Sequence, residues 1–224
     1  MHLVKIPVED LRAMESQGLH DEIMPYTHKN PVVRWLFWKR MEEMLYLARP
    51  AQRVLDFGGG SGVFLPSLAK NFSQVWCVDL RIDALHYVKD KFKLDNVVVV
   101  QGKENGPLPF EDSFFDIIFA GDVLEHIADS REVQREFDRI LKPEGYVIIS
   151  GPTENLLYKF CRKTVFWYFK KKTDHLATVY DVIQRSREIF SIEEMTTLPS
   201  RFVPGFHIYR ASKTTARAVR PGNS

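Results

Sequence analysis

A glycine-rich turn followed by an aspartate is the stretch of this chain whose residue types and spacing could bind a ligand. The sequence Val-Leu-Asp-Phe-Gly-Gly-Gly-Ser-Gly occupies residues 54–62, and a second apolar run, residues 74–78, ends at Asp79. Glycines let the backbone turn sharply and let a ligand approach more closely than side chains allow. A carboxylate at the tip of the next strand can accept two hydrogen bonds from a ribose diol. The pattern therefore predicts a nucleoside-bearing ligand at the carboxyl edge of a parallel sheet.

The spacing of the glycines separates two classes of nucleoside cofactor. The dinucleotide fingerprint G-x-G-x-x-G/A, started from Gly58 and Gly60, requires Gly or Ala at position 63, where the chain has Val63. The third glycine is instead Gly62, and the acid Asp56 precedes the series. The spacing thus argues against a dinucleotide, and a tight turn that binds nothing is the alternative left open by the motif alone.

The form D-x-G-x-G-x-G, with Asp79 at the right distance, resembles motif I of the class I methyltransferases that depend on S-adenosyl-L-methionine (SAM). The sequences Leu-Pro-Phe-Glu-Asp-x-x-Phe-Asp at 108–116 and Asp-Val-Leu-Glu-His at 122–126 are similar to the small-molecule methyltransferase family often labelled type 11. The resemblance covers residues 54–152. It implies SAM as the cofactor, a small-molecule acceptor and a seven-stranded sheet whose last strand is antiparallel.

The order of apolar runs and helical stretches predicts the same fold class. The run Val97-Val98-Val99-Val100 is typical of a strand covered on both faces, and it alternates with amphipathic helices. This alternation predicts an α/β fold, doubly wound, with a mostly parallel sheet and helices on both faces. The resemblance implies that the sheet has seven strands, as in Rossmann-like methyltransferases. Three segments are expected: an N-terminal helical lead-in or cap (1–53), a SAM-binding methyltransferase domain (54–211) with a basic aromatic insert (155–175), and a disordered tail (212–224).

The resemblance also implies roles for individual residues. Asp79 is expected to hold the ribose hydroxyls, with Leu80 against the adenine, and Asp122 to approach the methionine end. Asp56 is expected to support the loop or to meet the amino group of the ligand through water. The glycines that let the methionine part pass are Gly58, Gly60 and Gly62.

Two further positions bear on the adenine and on proton transfer. The family often places an acid directly after Gln-Gly, but here Lys103 stands there and Glu104 comes next, so either Glu104 substitutes or the backbone alone holds the adenine. His126 and His175 are candidate bases if the acceptor must lose a proton. For both histidines a purely structural role is the alternative. No metal-ligand spacing is visible in the sequence.

The insert is the stretch expected to choose the substrate. Residues 155–173 combine aromatic side chains with six lysines and arginines and no acid. Three interpretations remain open: a lid over the active site, a helix on an anionic membrane surface that admits a lipid-linked or isoprenoid substrate, or a contact with nucleic acid. The sequence disfavours nucleic acid, because six cations form a modest patch and no RNA-binding module is recognisable.

Composition limits the remaining possibilities. The 224 residues carry a formal net charge of +2 and only two cysteines, which excludes a disulfide framework. The amino terminus lacks an apolar signal core, so we expect a cytoplasmic protein, with membrane association left open. Trp35, Trp38 and Tyr46 either widen the core face of a helix over 30–48, or line a substrate entrance or touch an apolar partner. The rival functions are a nicotinamide-dependent oxidoreductase and a non-catalytic subunit that binds a nucleoside cofactor.

Overall fold

The strands form one sheet with the glycine turn at its centre. A computed structural model of the chain describes residues 1–19, 23–103, 106–153 and 176–214. In these ranges the strands are β1 (Arg53–Phe57), β2 (Gln74–Asp79), β3 (Val97–Gln101), β4 (Phe115–Gly121), β5 (Leu141–Pro152), β6 (Phe190–Pro199) and β7 (Pro204–Lys213). They lie in the order β3-β2-β1-β4-β5-β7-β6.

The directions of the strands confirm the predicted fold class. The pairs among β1 to β5 are parallel, whereas β7 runs antiparallel to both β5 and β6. From β1 the chain moves outward to β2 and β3, and it then returns to the other side of β1 to form β4 and β5. The order of strands therefore reverses at β1 and β4, and open α/β sheets bind ligands in the crevice at such a point.

Helices cover both faces of the sheet. They are α1 (Val8–Ser16), α2 (Met24–Thr27), α3 (Pro31–Leu47), α4 (Leu65–Asn71), α5 (Asp83–Lys91), a 3₁₀ turn (Leu124–His126), α6 (Arg131–Ile140) and α7 (Val179–Ile189). Buried side chains of α1 to α5 pack with Val54 of β1, while those of α6 and α7 pack with Leu55. Successive strand residues point to opposite faces, so one strand contributes to two hydrophobic clusters.

Helix α3 follows its sequence signals at both ends. The Asn30 side chain accepts a hydrogen bond from the Val32 N–H at 2.9 Å, and Pro31 occupies the first turn. Of the three aromatic residues with two interpretations, Trp38 is buried against Tyr26, with ring centroids 4.8 Å apart. Trp35 and Tyr46 are 50% and 75% exposed, so the interpretation that they widen the core face of the helix is wrong for these two residues.

One strand is irregular, and one boundary differs from the sequence-based expectation. Residues 142–145 form an irregularity within β5, because Leu141 pairs with Phe115 and the next paired residues are Tyr146 and Ile117. The predicted disordered tail begins too early, since Ser212 and Lys213 belong to β7 and pair with β6. Residues 215–224 and the insert 155–175 lie outside the described residues. None of the helices in the described ranges is long and apolar enough to cross a bilayer.

Candidate active site

The glycine bend after β1 exposes backbone at the carboxyl edge of the sheet. Gly58 donates its N–H to the Val78 carbonyl at 2.8 Å, and Gly58, Gly60 and Gly62 have φ angles of +73°, +52° and +73°. A Cβ on Gly58 would lie 2.4 Å from a Val123 methyl carbon, which is far inside contact distance. Positive φ angles and this lack of space both require glycine. The bend is therefore a cradle that a single added methyl group would fill.

Asp79 faces the bend from the end of β2. Its Oδ2 accepts the Gly60 N–H at 2.8 Å, and its Oδ1 accepts the Arg81 N–H at 2.9 Å. An ionised carboxylate has about four acceptor positions, so each oxygen keeps capacity for another hydrogen bond. Two backbone donors thus fix the orientation of the carboxylate, and its free capacity matches the two hydroxyls of a ribose diol.

Asp56 lies beneath the bend and is almost completely buried. Its Oδ2 is 3.8 Å from Sγ of Cys77, its partner in the adjacent strand β2. Burial raises the pKa of this carboxyl from 3.8 to about 7, and the nearby negative charge of Asp79 contributes. Burial also raises the pKa of the Cys77 thiol, which keeps that thiol protonated and able to donate to Asp56. This environment favours a cationic ligand, whose charge would stabilise the ionised carboxylates.

Asp122 occupies the corresponding place after β4, on the other side of β1. Its backbone has a φ of +52°, and its Oδ1 accepts a hydrogen bond from the Ser150 hydroxyl at 3.1 Å. Its Oδ2 forms an ion pair with Nη1 of Arg40, which reaches the sheet edge from α3. The sequence-based reasoning missed Arg40. A signal was present, because Arg40 lies three residues after Phe37 and four before Met44 on an otherwise apolar helix face.

Comparison with known proteins agrees with this geometry. The family described as a methyltransferase domain matches residues 55–149, from β1 into β5. The ubiquinone/menaquinone biosynthesis C-methyltransferase UbiE of Vibrio vulnificus is 34% identical over 119 residues. That match covers 50% of this chain and 45% of the relative, so the chain spans about half the length of the curated relatives it matches.

Solved structures share the methyltransferase fold at low identity. A SAM-dependent methyltransferase from Aquifex aeolicus aligns with a TM-score of 0.63 and 18% identity, over 92% of this chain and 98% of the other. The N-methyltransferase NodS from Bradyrhizobium japonicum, solved with S-adenosyl-L-homocysteine, aligns with a TM-score of 0.64 and 18% identity, over 91% and 97% of the two chains. These likenesses show that the chain has the Rossmann-like methyltransferase fold.

The remaining predicted site residues divide into two groups. Leu80 is 50% exposed beside Asp79, and His126 is exposed at the end of the 3₁₀ turn after β4. Glu104 and His175 lie outside the described residues, so their roles stay predictions. Sequence reasoning also passed over His207 of β7, whose Nδ1 is 3.1 Å from the Thr197 hydroxyl and whose pKa is lowered by burial.

Exposed apolar side chains surround the same edge of the sheet. Some lie in the first two turns of α3, others in the turn between β6 and β7, and others just before or within α7. We call this set the apolar rim: Val32, Trp35, Leu176, Tyr180, Phe202 and Val203. Phe37 connects α3 with the start of β7, because its ring lies 5.4 Å from that of Phe206. The rim therefore borders the edge of the sheet that carries the site.

A separate cavity opens at the opposite, amino edge of the sheet. It has a volume of about 740 Å³, and its lining includes Asp116, Lys142, Glu193 and Arg210. These charges pair with one another, Lys142 with Asp116 and Arg210 with Glu193. The glycine bend and Asp79 do not line this cavity, so we do not consider it part of the active site.

The buried Asp56 gives the stability of the ligand-free protein a defined pH dependence. Because its pKa rises from 3.8 to about 7 on folding, the folded state holds a proton that the unfolded state releases between these values. The contribution of Asp56 is thus fully present below the lower value and is lost as the pH rises through the upper one. Its slope is at most about 1.4 kcal/mol per pH unit.

Urea unfolding of the wild type and of Asp56→Asn at pH 4 to 8 measures this contribution. The difference in free energy of unfolding, wild type minus variant, should fall between about pH 4 and pH 7 and be flat above. Asp90→Asn, at an exposed position of α5, serves as the control for the loss of a carboxyl group. If the free energy of unfolding of the wild type minus that of Asp56→Asn increased with pH, the raised pKa of Asp56 would be contradicted.

Proposed function

We propose that this chain is a methyltransferase that takes its methyl group from SAM, with SAM bound around the glycine bend. The observation that carries the proposal is that three acidic side chains, those of Asp56, Asp79 and Asp122, lie at a bend without side chains. SAM contains a sulfonium and an ammonium group, which acidic side chains attract. The pyrophosphate of a dinucleotide carries the opposite charge, which argues against the nicotinamide-dependent oxidoreductase.

The proposed complex assigns one contact to each part of the ligand. Asp79 accepts hydrogen bonds from the ribose hydroxyls, and Leu80 lies against the adenine. Asp56 supports the bend from below, and Asp122 faces the methionine end. The glycines along which the methionine part passes are Gly58, Gly60 and Gly62. Glu104, or the backbone near it, is proposed to meet the adenine amino group.

When bound, SAM supplies a methyl group that its sulfonium has already activated for in-line transfer. The tasks left to this chain are to align the acceptor with that methyl group and to exclude water. Helix α3 covers the end of β4, since Cε of Met44 lies 3.4 Å from a Cβ position built on Gly121. We therefore propose residues 1–53 as a cap over the domain 54–211. His126 or His175 is needed as a base only if the acceptor must lose a proton.

We further propose that the acceptor is a small, lipid-like molecule. The name of the UbiE relative supports this class, because ubiquinone and menaquinone are apolar lipids. The apolar rim supports it as well, since exposed apolar side chains around a site suit an apolar ligand or a membrane surface. The basic, aromatic residues 155–173 would add attraction to an anionic membrane. Sedimentation with anionic vesicles, compared with a variant in which Lys170, Lys171 and Lys172 are alanine, tests that contact.

Methyl transfer is tested by incubating the protein with SAM labelled in its methyl group and with two acceptor pools. One pool is an organic lipid extract and the other an aqueous metabolite extract, each from the same cells. We expect label in products of the lipid pool. Label in the aqueous pool alone would overturn the acceptor class. Binding of SAM without turnover in either pool would favour the non-catalytic subunit, and no SAM binding at all would overturn the proposal.

A further inference from the structure

Arg40 is a buried cation at the edge of the candidate SAM site. Its side chain is surrounded by aromatic rings, with the guanidinium carbon 5.4 Å from the Phe37 ring centroid and 5.5 Å from that of Phe206. The residue is only 6% exposed. A buried charge of this kind is retained only when partners stabilise it. Any nitrogen atom of Arg40 that has no partner in the protein is therefore a candidate donor to a ligand.

The hydrogen-bonding capacity of Arg40 is only partly used by the described residues. Nη1 forms the ion pair with Asp122, and Nη2 donates to the Tyr26 hydroxyl at 3.1 Å. Nε is buried and has no hydrogen-bond partner among the described residues. A buried donor without a partner destabilises a protein. An acceptor group from a ligand would satisfy it.

The position of the ion pair connects it with the methionine end of the site. Asp122 is followed by Val123, whose side chain fills the space beside Gly58 in the bend. Asp122 is 22% exposed in its side chain, and Ser150 holds its other oxygen. A carboxylate in this position can accept from an ammonium group while it keeps its contact with Arg40. The pair thus presents a negative and a positive group side by side.

We propose that Arg40 and Asp122 together recognise the zwitterionic amino-acid end of the methyl donor. Asp122 accepts hydrogen bonds from its α-ammonium group, and Arg40 donates to its α-carboxylate through the unpaired Nε. This inference rests on the proposed function and adds a binding role for a residue of α3. It also connects the cap with the cofactor, because α3 carries the guanidinium that the ligand needs.

The test compares two ligands that differ in this end of the molecule. S-Adenosylhomocysteine contains the amino-acid group, whereas 5′-methylthioadenosine has a methyl group in its place and keeps the nucleoside and the sulfur. By titration calorimetry, Arg40→Met should lower the affinity for S-adenosylhomocysteine by about 10- to 100-fold, the effect of losing a hydrogen bond to a charged group. The same variant should change the affinity for 5′-methylthioadenosine by less than about threefold. Lys39→Met, one residue earlier on α3, is the matched control and should leave both affinities unchanged.

A second variant guards against misfolding, because Arg40→Met leaves Asp122 without its cation. The double variant Arg40→Met/Asp122→Asn removes both charges, and it should lose most of the preference for S-adenosylhomocysteine over 5′-methylthioadenosine. Wild-type affinity of Arg40→Met for S-adenosylhomocysteine would overturn the inference and leave the proposed function intact. An equal loss for both ligands would also overturn it, since Arg40 would then act on the whole site. If the wild type binds neither ligand, the proposed function itself fails.

Discussion

Replacing Asp79 by alanine is expected to weaken binding of S-adenosylhomocysteine by on the order of 100-fold, because two charge-assisted hydrogen bonds are lost. The variant removes the acceptors that we assign to the ribose diol. It also frees the N–H groups of Gly60 and Arg81, which hold the carboxylate in place at 2.8 Å and 2.9 Å. Both effects act in the same direction, since the bend loses a support as the ligand loses a partner. Titration calorimetry measures the change, and circular dichroism checks that the variant is folded.

Two further variants separate charge from fold in this experiment. Asp79→Asn keeps the shape and one acceptor oxygen, so it should retain more affinity than the alanine variant, with a loss of roughly 10-fold. Asp90→Ala removes an exposed acid from α5 and should bind as the wild type does. An Asp79→Ala protein that is folded and binds within threefold of the wild type would remove the ribose contact from the proposal.

Replacing Gly59 by alanine is expected to destabilise the protein by about 2–3 kcal/mol, the effect of overpacking a filled site. The added Cβ would lie 2.1 Å from Sγ of Cys77, with Leu85 at 3.2 Å and Asp56 at 3.3 Å. The φ angle of Gly59 is not in the left-handed region, in contrast to that of Gly58, so lack of space is the cause. The melting temperature should fall by roughly 4–12 °C.

Lack of space as the cause of this destabilisation can be tested by a second substitution, which removes the contacting atom of Cys77. Cys77→Ala removes Sγ, so the double variant Gly59→Ala/Cys77→Ala should recover at least half of the lost stability. Gly58→Ala with Val123→Ala is the matched comparison and should recover less, because the φ of +73° at Gly58 stays unfavourable for alanine. Urea unfolding of the single and double variants measures both cycles. Strictly additive effects at Gly59 and Cys77 would show that the two residues do not compete for the same space.

The sequence was informative wherever a local rule determines the structure. Continuous apolar runs and period-3.6 patterns placed the strands and helices. The glycine spacing identified the bend, because φ angles near +60° exclude most side chains. The end of β7 was misplaced by two residues. Ser212 and Lys213 are polar and carry no strand signal, yet they extend the strand by pairing with β6. Pairing with a neighbour that is distant in the chain decided that boundary.

The sequence by itself determined that a bend without side chains meets an acid at the end of the next strand. Covalent spacing and backbone sterics suffice for that conclusion, since both act within a few residues. Only the tertiary structure decided that Arg40, more than eighty positions before Asp122 in the chain, pairs with it at the edge of the sheet. It also decided that Trp38 is buried while Trp35 is exposed on the same helix. The physical reason is that pairing and burial depend on which surfaces meet after folding, and one element's periodicity does not specify its neighbours.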